Sequence, residues 1–529
     1  MVAEKQQDQR QWSRQDIAEK MAEYEKEYLR TPSQRQLAEQ LGIPRSTLQH
    51  WLARKENIDA DPELVAFFES PVGLAFLHRL VLAAHFVMTL VGPSGIRLVC
   101  LFLELTGLNQ FVAASYRPHW QVSAAMEQAI GDFDQAEKER LGETMEPKQI
   151  TVCEDETFHP ETCLVAIEPV SNFILLEQYT QDRKADTWTN SLAEATKGLP
   201  IEVIQSTSDE GRGILHHVKQ DLGVHHSPDL FHVQNELVKG TSGALASKVR
   251  QAVKAVEKAP TQAAQQALEI ASQQQARAQQ LIRQISEIYH PYDLQTGTVR
   301  SAEALSSSLQ QHFAELEAVA QEAGLSEHCF DRIKKAKRVV VQMVATLAFF
   351  LLTLRAKVEA LALAPEVEQA IYDHLIPAIY LHLVSEKTQE VSQRQHLQTK
   401  SKQLLAPLLP RDGPFGQLDQ KEKVVIEQVA QECAGLFQRS SSCVEGRNGQ
   451  LALRHHSLHR LSDRKLKALT GVHNYFVKRA DGTTAAERFF GSKPRDLFEW
   501  LLDRVDIPSR PAQKRSQPRP KTFLVPAAT

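Results

Sequence analysis

Residues 201–213, with the sequence IEVIQSTSDEGRG, are the stretch that decides the fold of this chain. The first residues are rich in Ile and Val, which favours a β-strand, and the strand leads to an acid, Asp209, before a glycine-rich turn. A helix is predicted directly after that turn, at residues 211–222. Because the ligands of α/β sheets bind beyond the carboxyl ends of the strands, Asp209 is a candidate functional residue.

A strand that leads to an acid also occurs earlier, in ITVCEDETF at residues 150–158. A strand is predicted at residues 149–153, with Asp155 following it. Neighbouring side chains on a strand point to opposite faces, so we expect Asp155 to face away from Glu154 and Glu156. Further strands are predicted at residues 163–168, 173–178 and 223–226, and a helix at residues 186–197. Strands followed by alternating helices and strands predict a mixed α/β sheet.

The third notable acid, Glu445, lies in the basic segment SSSCVEGRNGQLALRHHSLHRLS, residues 440–462. Residues 439–467 carry seven Lys or Arg against two acids, although the whole chain has a formal net charge of −4. The serine run can cap a helix, on which Arg447 and Arg454 are seven residues apart and share a stripe suited to phosphate contacts. The alternative to a phosphate-binding helix is a solvated charged helix without a ligand.

The three acids together have the composition of a metal site for phosphodiester chemistry. Mg²⁺ is a hard ion that prefers oxygen ligands, and a pair of such ions stabilises both the attacking and the leaving oxygen of a phosphodiester. Asp155, Asp209 and Glu445 are the predicted ligands, and Glu210 is an alternative to Asp209. The competing interpretation is an ordinary polar strand end for Asp155 and a helix cap for Asp209.

Asp229 and His232 form an Asp-x-x-His motif after the predicted strand at residues 223–226. We expect Asp229 at the same sheet edge and His232 in the first turn of a helix that starts near residue 233. Neutral His is a poor ligand for Mg²⁺, so His232 is predicted to hydrogen-bond DNA and not the metal. As bare spacing the motif is also compatible with a helix cap and a packed histidine.

The N-terminal segment TPSQRQLAEQLGIPRSTLQHWLARK, residues 31–55, predicts a helix-turn-helix. Thr31 or Ser33 can cap the first helix, Leu41-Gly42-Ile43 forms the turn, and Pro44 opens the second helix. The residues free to face a DNA groove are Arg45, Ser46, Thr47, Gln49 and His50. The alternative is a small helical hairpin without DNA.

The remaining sequence predicts a multidomain α plus α/β protein. Hydrophobic residues make up 42% and charged residues 24%, which is typical of a folded soluble chain of several domains. The predicted segments are a helix-turn-helix domain at 1–60, a helical region and linker at 61–148, the first part of the sheet domain at 149–235, an all-helical insertion at 236–438, the last part of the sheet domain at 439–507, and a disordered basic tail at 508–529.

Compartment and membrane were assessed from the cysteines and the apolar stretches. The six cysteines have no CxxC pair and no zinc-ligand spacing, and the N-terminus resembles no signal peptide, so a cytoplasmic, nucleoid-associated protein is predicted. Two apolar stretches, residues 74–90 and 339–354, fall short of the roughly 20 apolar residues of a membrane span. They are predicted to be buried helices, and no membrane partner is expected.

The order Asp155, Asp209, Asp229-x-x-His232, a long helical insertion and a late Glu445 resembles the DDE transposases. It is most similar to bacterial insertion-sequence enzymes, and to the hAT and Mutator-like groups, that carry a C/D-x-x-H motif and a helical insertion before the last acid. The resemblance covers residues 149–480. It implies an RNase H-like core interrupted by a helical insertion, with Asp155, Asp209 and Glu445 holding two Mg²⁺ or Mn²⁺ ions. Water would cut the element end, and the freed 3′-OH would attack target DNA.

The predicted function is therefore a DNA transposase acting on double-stranded DNA, both element ends and target, as a homodimer or higher oligomer. Asp229 and His232 would support DNA near the site, together with Arg447, Asn448 and Arg454. Two alternatives remain: a catalytically idle, transposase-derived DNA-binding regulator, and a metal-dependent nuclease without strand transfer.

Overall fold

The computed structural model describes residues 12, 14–30, 33–56, 58–158, 161–458 and 461–511. Its chain forms two compact units, one comprising residues 1–141, 452–487 and 492–529 and the other residues 142–451 and 488–491. The predicted N-terminal segments 1–60 and 61–148 thus belong almost entirely to the first unit. The predicted segment 439–507 is divided between the two units, and residues 512–529 of the predicted tail lie outside the described residues.

The helices that precede the sheet all belong to the first unit, apart from the last residue of α7. They are α1 Arg14–Tyr28, α2 Gln34–Gln40, α3 Arg45–Glu56, α4 Pro62–Phe68, α5 Pro71–His85, α6 Ile96–Leu105 and α7 Tyr116–Gly142. A π-helical turn, Phe86–Val91, continues α5, and a short 3₁₀ turn occupies Leu108–Gln110.

Helices α2 and α3 are joined by a tight turn around Gly42. The backbone of Gly42 is left-handed (φ 64°), a conformation that glycine adopts without steric cost. Ile43 N donates to Ala38 O (3.0 Å) and Gly42 N to Glu39 O (3.1 Å), the paired bonds that close a helix C-terminus. Ser33 caps α2 by accepting from Gln36 N. A small core formed by α1, α2 and α3, which includes Leu48 and Trp51, holds these helices together.

One mixed five-stranded sheet lies in the second unit. Its strands are β1 Lys148–Phe158, β2 Thr162–Glu168, β3 Phe173–Thr180, β4 Ile201–Ser208 and β5 His225–Pro228. The spatial order is β3-β2-β1-β4-β5, in which β2 runs antiparallel to both neighbours and β1, β4 and β5 are parallel. The predicted mixed α/β sheet is therefore present, within a mostly helical chain.

The helices around and after the strands complete the chain. They are α8 Ala185–Thr196, α9 Arg212–His216, α10 Leu230–Lys258, α11 Gln262–Ile288, α12 Ala302–Glu322, α13 Glu327–Arg338, α14 Val340–Glu359, α15 Pro365–Ala370, α16 Ile376–Lys387, α17 Val391–Leu405, α18 Gln420–Leu436, α19 Ser442–Leu458, α20 Asp463–Tyr475, α21 Ala485–Phe490 and α22 Leu497–Leu502. Two π-helical turns, His217–Asp221 and Ile371–Leu375, and a 3₁₀ turn, Ala406–Leu408, lie between them.

The long run of helices from α10 to α18 shares one hydrophobic core. The fully or almost fully buried residues of this core include Leu237 of α10, Ile285 of α11, Phe313 of α12, Phe350 of α14 and Ile376 of α16. This core fills the interval between β5 and α19, where the sequence predicts an all-helical insertion. The outer face of the sheet has a second, smaller core built on Trp188 of α8.

Two helical segments, Pro71–Val91 and Glu327–Glu359, are long and apolar enough to cross a membrane by length and composition. Half of the apolar window of the first and 39% of that of the second are buried within the fold. Buried core helices of soluble proteins have the same properties. The described residues therefore give no clear evidence of a membrane-spanning segment.

Candidate active site

Asp155 and Asp209 lie side by side at one edge of the sheet. The parallel pairing of β1 with β4 ends at the pair Glu154 and Ser208, and each strand continues with an aspartate. Asp209 follows β4 as predicted, and its Oδ1 accepts from Gly211 N (2.9 Å), which fixes the glycine turn. Asp155, by contrast, lies inside β1 and not after it, because β1 continues to Phe158 in antiparallel pairing with β2.

The two neighbours of Asp155 face the opposite side of the sheet, as strand alternation predicts. Glu154 is fully buried, accepts from Ser206 Oγ (2.5 Å) and lies 3.3 Å from His217 Nε2. Glu156 accepts from the indole of Trp188 (3.3 Å) and from Arg183 (3.0 Å). Both glutamates are thus occupied by the layer of α8 and α9, and Asp155 is the acid of this strand that faces the other side.

Helix α19 brings Glu445 to that side. Asn448, one turn after Glu445, donates from Nδ2 to Asp155 Oδ2 (3.1 Å), which ties the helix to β1. The Glu445 carboxylate lies within 4.8 Å of ligand atoms of both Asp229 and His232. Residues that are nearly 300 positions apart in sequence therefore converge on one edge of the sheet.

Asp229 and His232 occupy the first turn of α10, which begins at Leu230 and not near residue 233 as predicted. Asp229 is the N-cap, with Oδ1 accepting from Phe231 N (2.8 Å), and its Oδ2 lies 2.8 Å from His232 Nδ1. A third partner comes from the loop before α19, where Ser441 Oγ donates to Asp229 Oδ2 (2.7 Å). The buried Asp229 carboxylate thus links His232 to Ser441, the residue directly before α19.

The pKa values of the clustered acids reflect burial first and the charges of their neighbours second. The pKa of Asp155 is raised to about 7: burial is the largest cause, the hydrogen bond from Glu156 N opposes it, and the charges of Glu445 and Asp209 add to it. Burial likewise raises the pKa of Glu445; the charge of His232 lowers it, and the charges of Asp229 and Asp209 raise it. Without a cation, these carboxylates repel one another in a partly desolvated site.

His232 responds to the same charges in the opposite direction. Its hydrogen bond with Asp229 raises its pKa to about 9 against the effect of burial, and the charges of Asp229, Asp209 and Asp155 also raise it. Conversely, hydrogen bonds from His232 and Ser441 hold the pKa of Asp229 below its ordinary value, although burial acts to raise it. From sequence, His232 is expected to be neutral, whereas its pairing with Asp229 favours an imidazolium at neutral pH.

Two arginines predicted to contact DNA are engaged elsewhere. Arg447 is buried and forms a two-pronged ion pair with Glu177 of β3, with Nε to Oε1 at 2.7 Å and Nη2 to Oε2 at 2.6 Å. Arg454 donates to the carbonyls of Leu90, Val91 and Gly92 at the end of the π-helical turn after α5. Each guanidinium therefore already has partners within the protein, and the phosphate-contact role of Arg447 and Arg454 stays a prediction.

The predicted DNA-facing residues at the N-terminus lie on the outer side of α3. Arg45, Ser46, Gln49 and His50 are exposed and Thr47 is half-buried, whereas Leu48 and Trp51 of the same helix are buried. The structure thus separates the polar residues from the packed ones as the sequence predicts. It contains no DNA, so their role stays a prediction.

Ser441 and Glu177 are the site residues that the sequence did not indicate. The serine run was expected only to cap α19, yet the Ser441 hydroxyl binds Asp229, which is 212 residues away. Glu177 lies in a strand whose other residues are mostly apolar, and a charged residue at a buried strand position is the signal that could have indicated a buried ion pair.

Comparison with known proteins gives one match. A family model described as a family of unknown function (DUF6399) matches residues 371–517. This region contains α19 with Glu445, Arg447 and Asn448, but none of the five strands. No curated protein and no solved structure matches the chain.

Proposed function

We propose that this protein is a metal-dependent enzyme that cuts and joins DNA, of the DDE transposase kind with an RNase H-like core. One observation carries the proposal: Asp155 and Asp209 directly follow the last residues paired between β1 and β4, and the helix that carries Glu445 is bonded to Asp155 through Asn448. Their convergence is not expected from chance, because they come from β1, the end of β4 and a helix that follows about 200 intervening residues. The strand order, with β2 as the antiparallel strand, is the arrangement expected of an RNase H-like core.

The donor set fits a pair of divalent cations. Asp155, Asp209 and Glu445 supply carboxylate oxygens, the ligands that Mg²⁺ and Mn²⁺ prefer. Burial is the largest cause of the raised pKa values of Asp155 and Glu445, neighbouring acids add to it, and bound cations would favour the charged carboxylates. When bound, such ions activate the attacking hydroxyl and stabilise the leaving oxygen of a phosphodiester.

The surrounding residues have separate tasks in this proposal. Asn448 orients the Asp155 carboxylate through its amide donor. His232 is held by Asp229 through Nδ1, which leaves Nε2–H to donate to a phosphate oxygen beside the scissile bond. An imidazolium cannot ligate a metal, so in this proposal His232, held by Asp229, is assigned to DNA, whereas the nearby Glu445 is a metal ligand. Cleavage by water and attack by the released 3′-OH would use the same acids.

The proposed partners follow from this activity. Element ends would be bound by α3 through Arg45, Ser46, Thr47, Gln49 and His50, and the helical insertion would border the DNA. A cytoplasmic, nucleoid-associated location and a homodimer or higher oligomer on DNA complete the proposal. The intact set of three acids favours an enzyme over an idle DNA-binding regulator.

Nicking of a supercoiled plasmid by the purified full-length chain tests the proposal. We expect relaxed plasmid to accumulate with Mg²⁺ or Mn²⁺ and not with EDTA, and Asp155→Ala, Asp209→Ala and Glu445→Ala each to reduce nicking below detection. Glu210→Ala is the matched control, because it removes the carboxylate adjacent to Asp209 and should retain activity.

Strand joining is measured separately, with short duplexes that carry free 3′-OH ends and are taken from the DNA that flanks the gene. Joined products that disappear in the same three variants support a transposase. Nicking without joined products would instead support a nuclease, and DNA binding without nicking in the unmutated protein would support the regulator. Nicking that survives Glu445→Ala would remove this residue from the metal site.

A further inference from the structure

Helix α6 is apolar on both of its sides, although only one side is covered. Val99 and Leu103 are fully buried in the core of the first unit. On the other side Leu98, Leu101 and Leu105 are 44%, 45% and 79% exposed. Their spacing of three and four residues places them on one stripe of the helix. A helix that is apolar all round is normally buried all round, so this stripe requires a partner surface.

The neighbouring helix α7 extends the exposed surface. Tyr116 and Trp120 are 52% and 49% exposed and lie one helical turn apart. The guanidinium of Arg97, on α6, stacks over the Tyr116 ring at 6.0 Å from its centroid, which places these aromatic residues beside the leucine stripe. We call the surface formed by Leu98, Leu101, Leu105, Tyr116 and Trp120 the α6 face. Aromatic and leucine side chains of this kind are typical of interface cores.

Two exposed charges flank the leucines, Arg97 in the first turn of α6 and Glu104 in the last. Neither forms an ion pair within the part of the chain that the structure describes. Their placement is unfavourable for an isolated helix, because the helix dipole favours acids at the N-terminus and bases at the C-terminus. A partner that brings an acid to the start of α6 and a base to its end would reverse this cost.

We propose that the α6 face is the contact between two copies of this chain, with the two α6 helices packed antiparallel about a two-fold axis near Leu101. In that arrangement Leu98 of one copy lies opposite Leu105 of the other. Arg97 of each copy then comes within reach of Glu104 of the second copy, since the offset between the two pairings is about two residues, or roughly 3 Å along the helix. One surface supplies both halves of the contact, as a two-fold interface requires.

A second copy of the chain fits these features better than an unrelated partner does. The charges are complementary to themselves when the helix is inverted, and the inverted helix also brings each acid to the opposite helix N-terminus. The pair between Arg97 and Glu104 forms twice by symmetry, which fixes the antiparallel direction and the register of the leucines. The contact depends on neither DNA nor metal, so it stands or falls independently of the proposed enzymatic activity.

Sedimentation velocity of the full-length chain over a range of concentrations tests the α6 face. We expect a concentration-dependent dimer. Arg97→Glu alone or Glu104→Arg alone places like charges opposite each other and should weaken dimerisation at least about tenfold, since each 1.4 kcal/mol of repulsion changes the dissociation constant tenfold. The double exchange Arg97→Glu with Glu104→Arg restores the pairing and should recover the dimer.

Two further variants separate the interface from general effects. Leu101→Glu should give a monomer with unchanged circular dichroism, whereas Leu352→Glu, at a comparably exposed leucine of the second unit, should leave the dimer intact. A dimer with a dissociation constant of about 1 µM would be almost fully formed at a protein concentration of roughly 100 µM. A chain that is still monomeric at that concentration would overturn the proposal. So would a double charge exchange that fails to recover the dimer lost in the single exchanges.

Discussion

At the scale of single residues, the protonation of His232 determines which partner it can take. The hydrogen bond with Asp229 raises its pKa to about 9, so the ring is cationic at neutral pH and both of its nitrogens carry protons. One proton is used by Asp229 and the other remains for an anion. This assignment is more specific than the Asp-x-x-His spacing, which is equally compatible with a metal ligand or a capped helix.

His232→Ala is expected to slow metal-dependent nicking by roughly 10- to 100-fold, the loss of one positioned hydrogen bond to a charged group. The dependence on metal concentration should not change, because the ring is not a ligand. Activity of the unmutated protein should decline as pH rises through about 9, where the imidazolium loses its proton, and the variant should lack this decline.

Nicking rates measured against pH and against Mg²⁺ concentration provide the check. His232→Gln, which retains a hydrogen-bond donor without the charge, is the matched control. Its nicking rate should lie between those of the unmutated protein and His232→Ala. A His232→Ala variant that requires more Mg²⁺ for half-maximal activity would contradict the assignment and make the ring a metal ligand.

At the scale of elements, the sequence predicts the strands and their order in the chain but not all of their ends. The prediction is close where a strand is rich in apolar residues: the strand predicted at residues 163–168 differs from β2 by one residue at its start. β1 extends beyond its predicted end at residue 153 because its last residues, 154–158, pair with β2. A local sequence pattern does not reveal this pairing. β5, with the sequence HHSP, has little strand propensity and forms because β4 offers a parallel edge.

Contacts over long sequence separations could not be predicted. The sequence around Arg447 gives no sign of its partner Glu177, which lies 270 residues earlier. Similarly, no local feature of Ser441 points to Asp229. By contrast, the position of Asp155 opposite to Glu154 and Glu156 followed from strand alternation alone, since that geometry depends only on neighbouring residues.

Helix α3 is the element for which sequence and structure agree most directly on which side is exposed, and its role in DNA binding stays a prediction. Arg45→Ala is expected to weaken binding to all duplexes and to reduce its salt dependence, because Arg45 would contact phosphate. Gln49→Ala is expected to change base preference at a cost of about 1–3 kcal/mol, the range for a side chain that reads a base edge. Titrations of full-length protein with element-end and unrelated duplexes at two salt concentrations measure both effects.

Glu56→Ala, an exposed acid at the far end of α3, is the control and should leave base preference unchanged. If the unmutated protein binds none of the duplexes at low salt, a DNA-binding role for α3 is refuted. Loss of binding in Gln49→Ala that is the same for every sequence would make Gln49 a phosphate contact.

At the scale of the whole molecule, the acid cluster should make folding stability depend on both pH and metal. The folded-state pKa of Asp155 is about 7, well above its ordinary value of 3.8, so the folded protein binds this proton more tightly than the unfolded chain does. The stability from Asp155 is therefore fully present below pH 3.8 and is lost as pH rises through 7. The raised pKa of Glu445 acts in the same direction.

Asp155→Asn is accordingly expected to stabilise the metal-free protein at pH 8 by on the order of 1–3 kcal/mol, since each pKa unit corresponds to about 1.4 kcal/mol. The gain should shrink as pH falls below 7, where the native Asp155 already carries its proton. Mn²⁺ should raise the unfolding temperature of the unmutated protein more at pH 8 than at pH 5.5, because protons and cations compete for the same carboxylates.

Thermal unfolding with EDTA and with Mn²⁺ at both pH values measures all four conditions. Glu210→Gln controls for the removal of a nearby negative charge and should respond to Mn²⁺ as the unmutated protein does. If Asp155→Asn instead destabilises the metal-free protein at pH 8, the charged carboxylate stabilises the fold without a cation. The assignment of Asp155 to a metal site then fails.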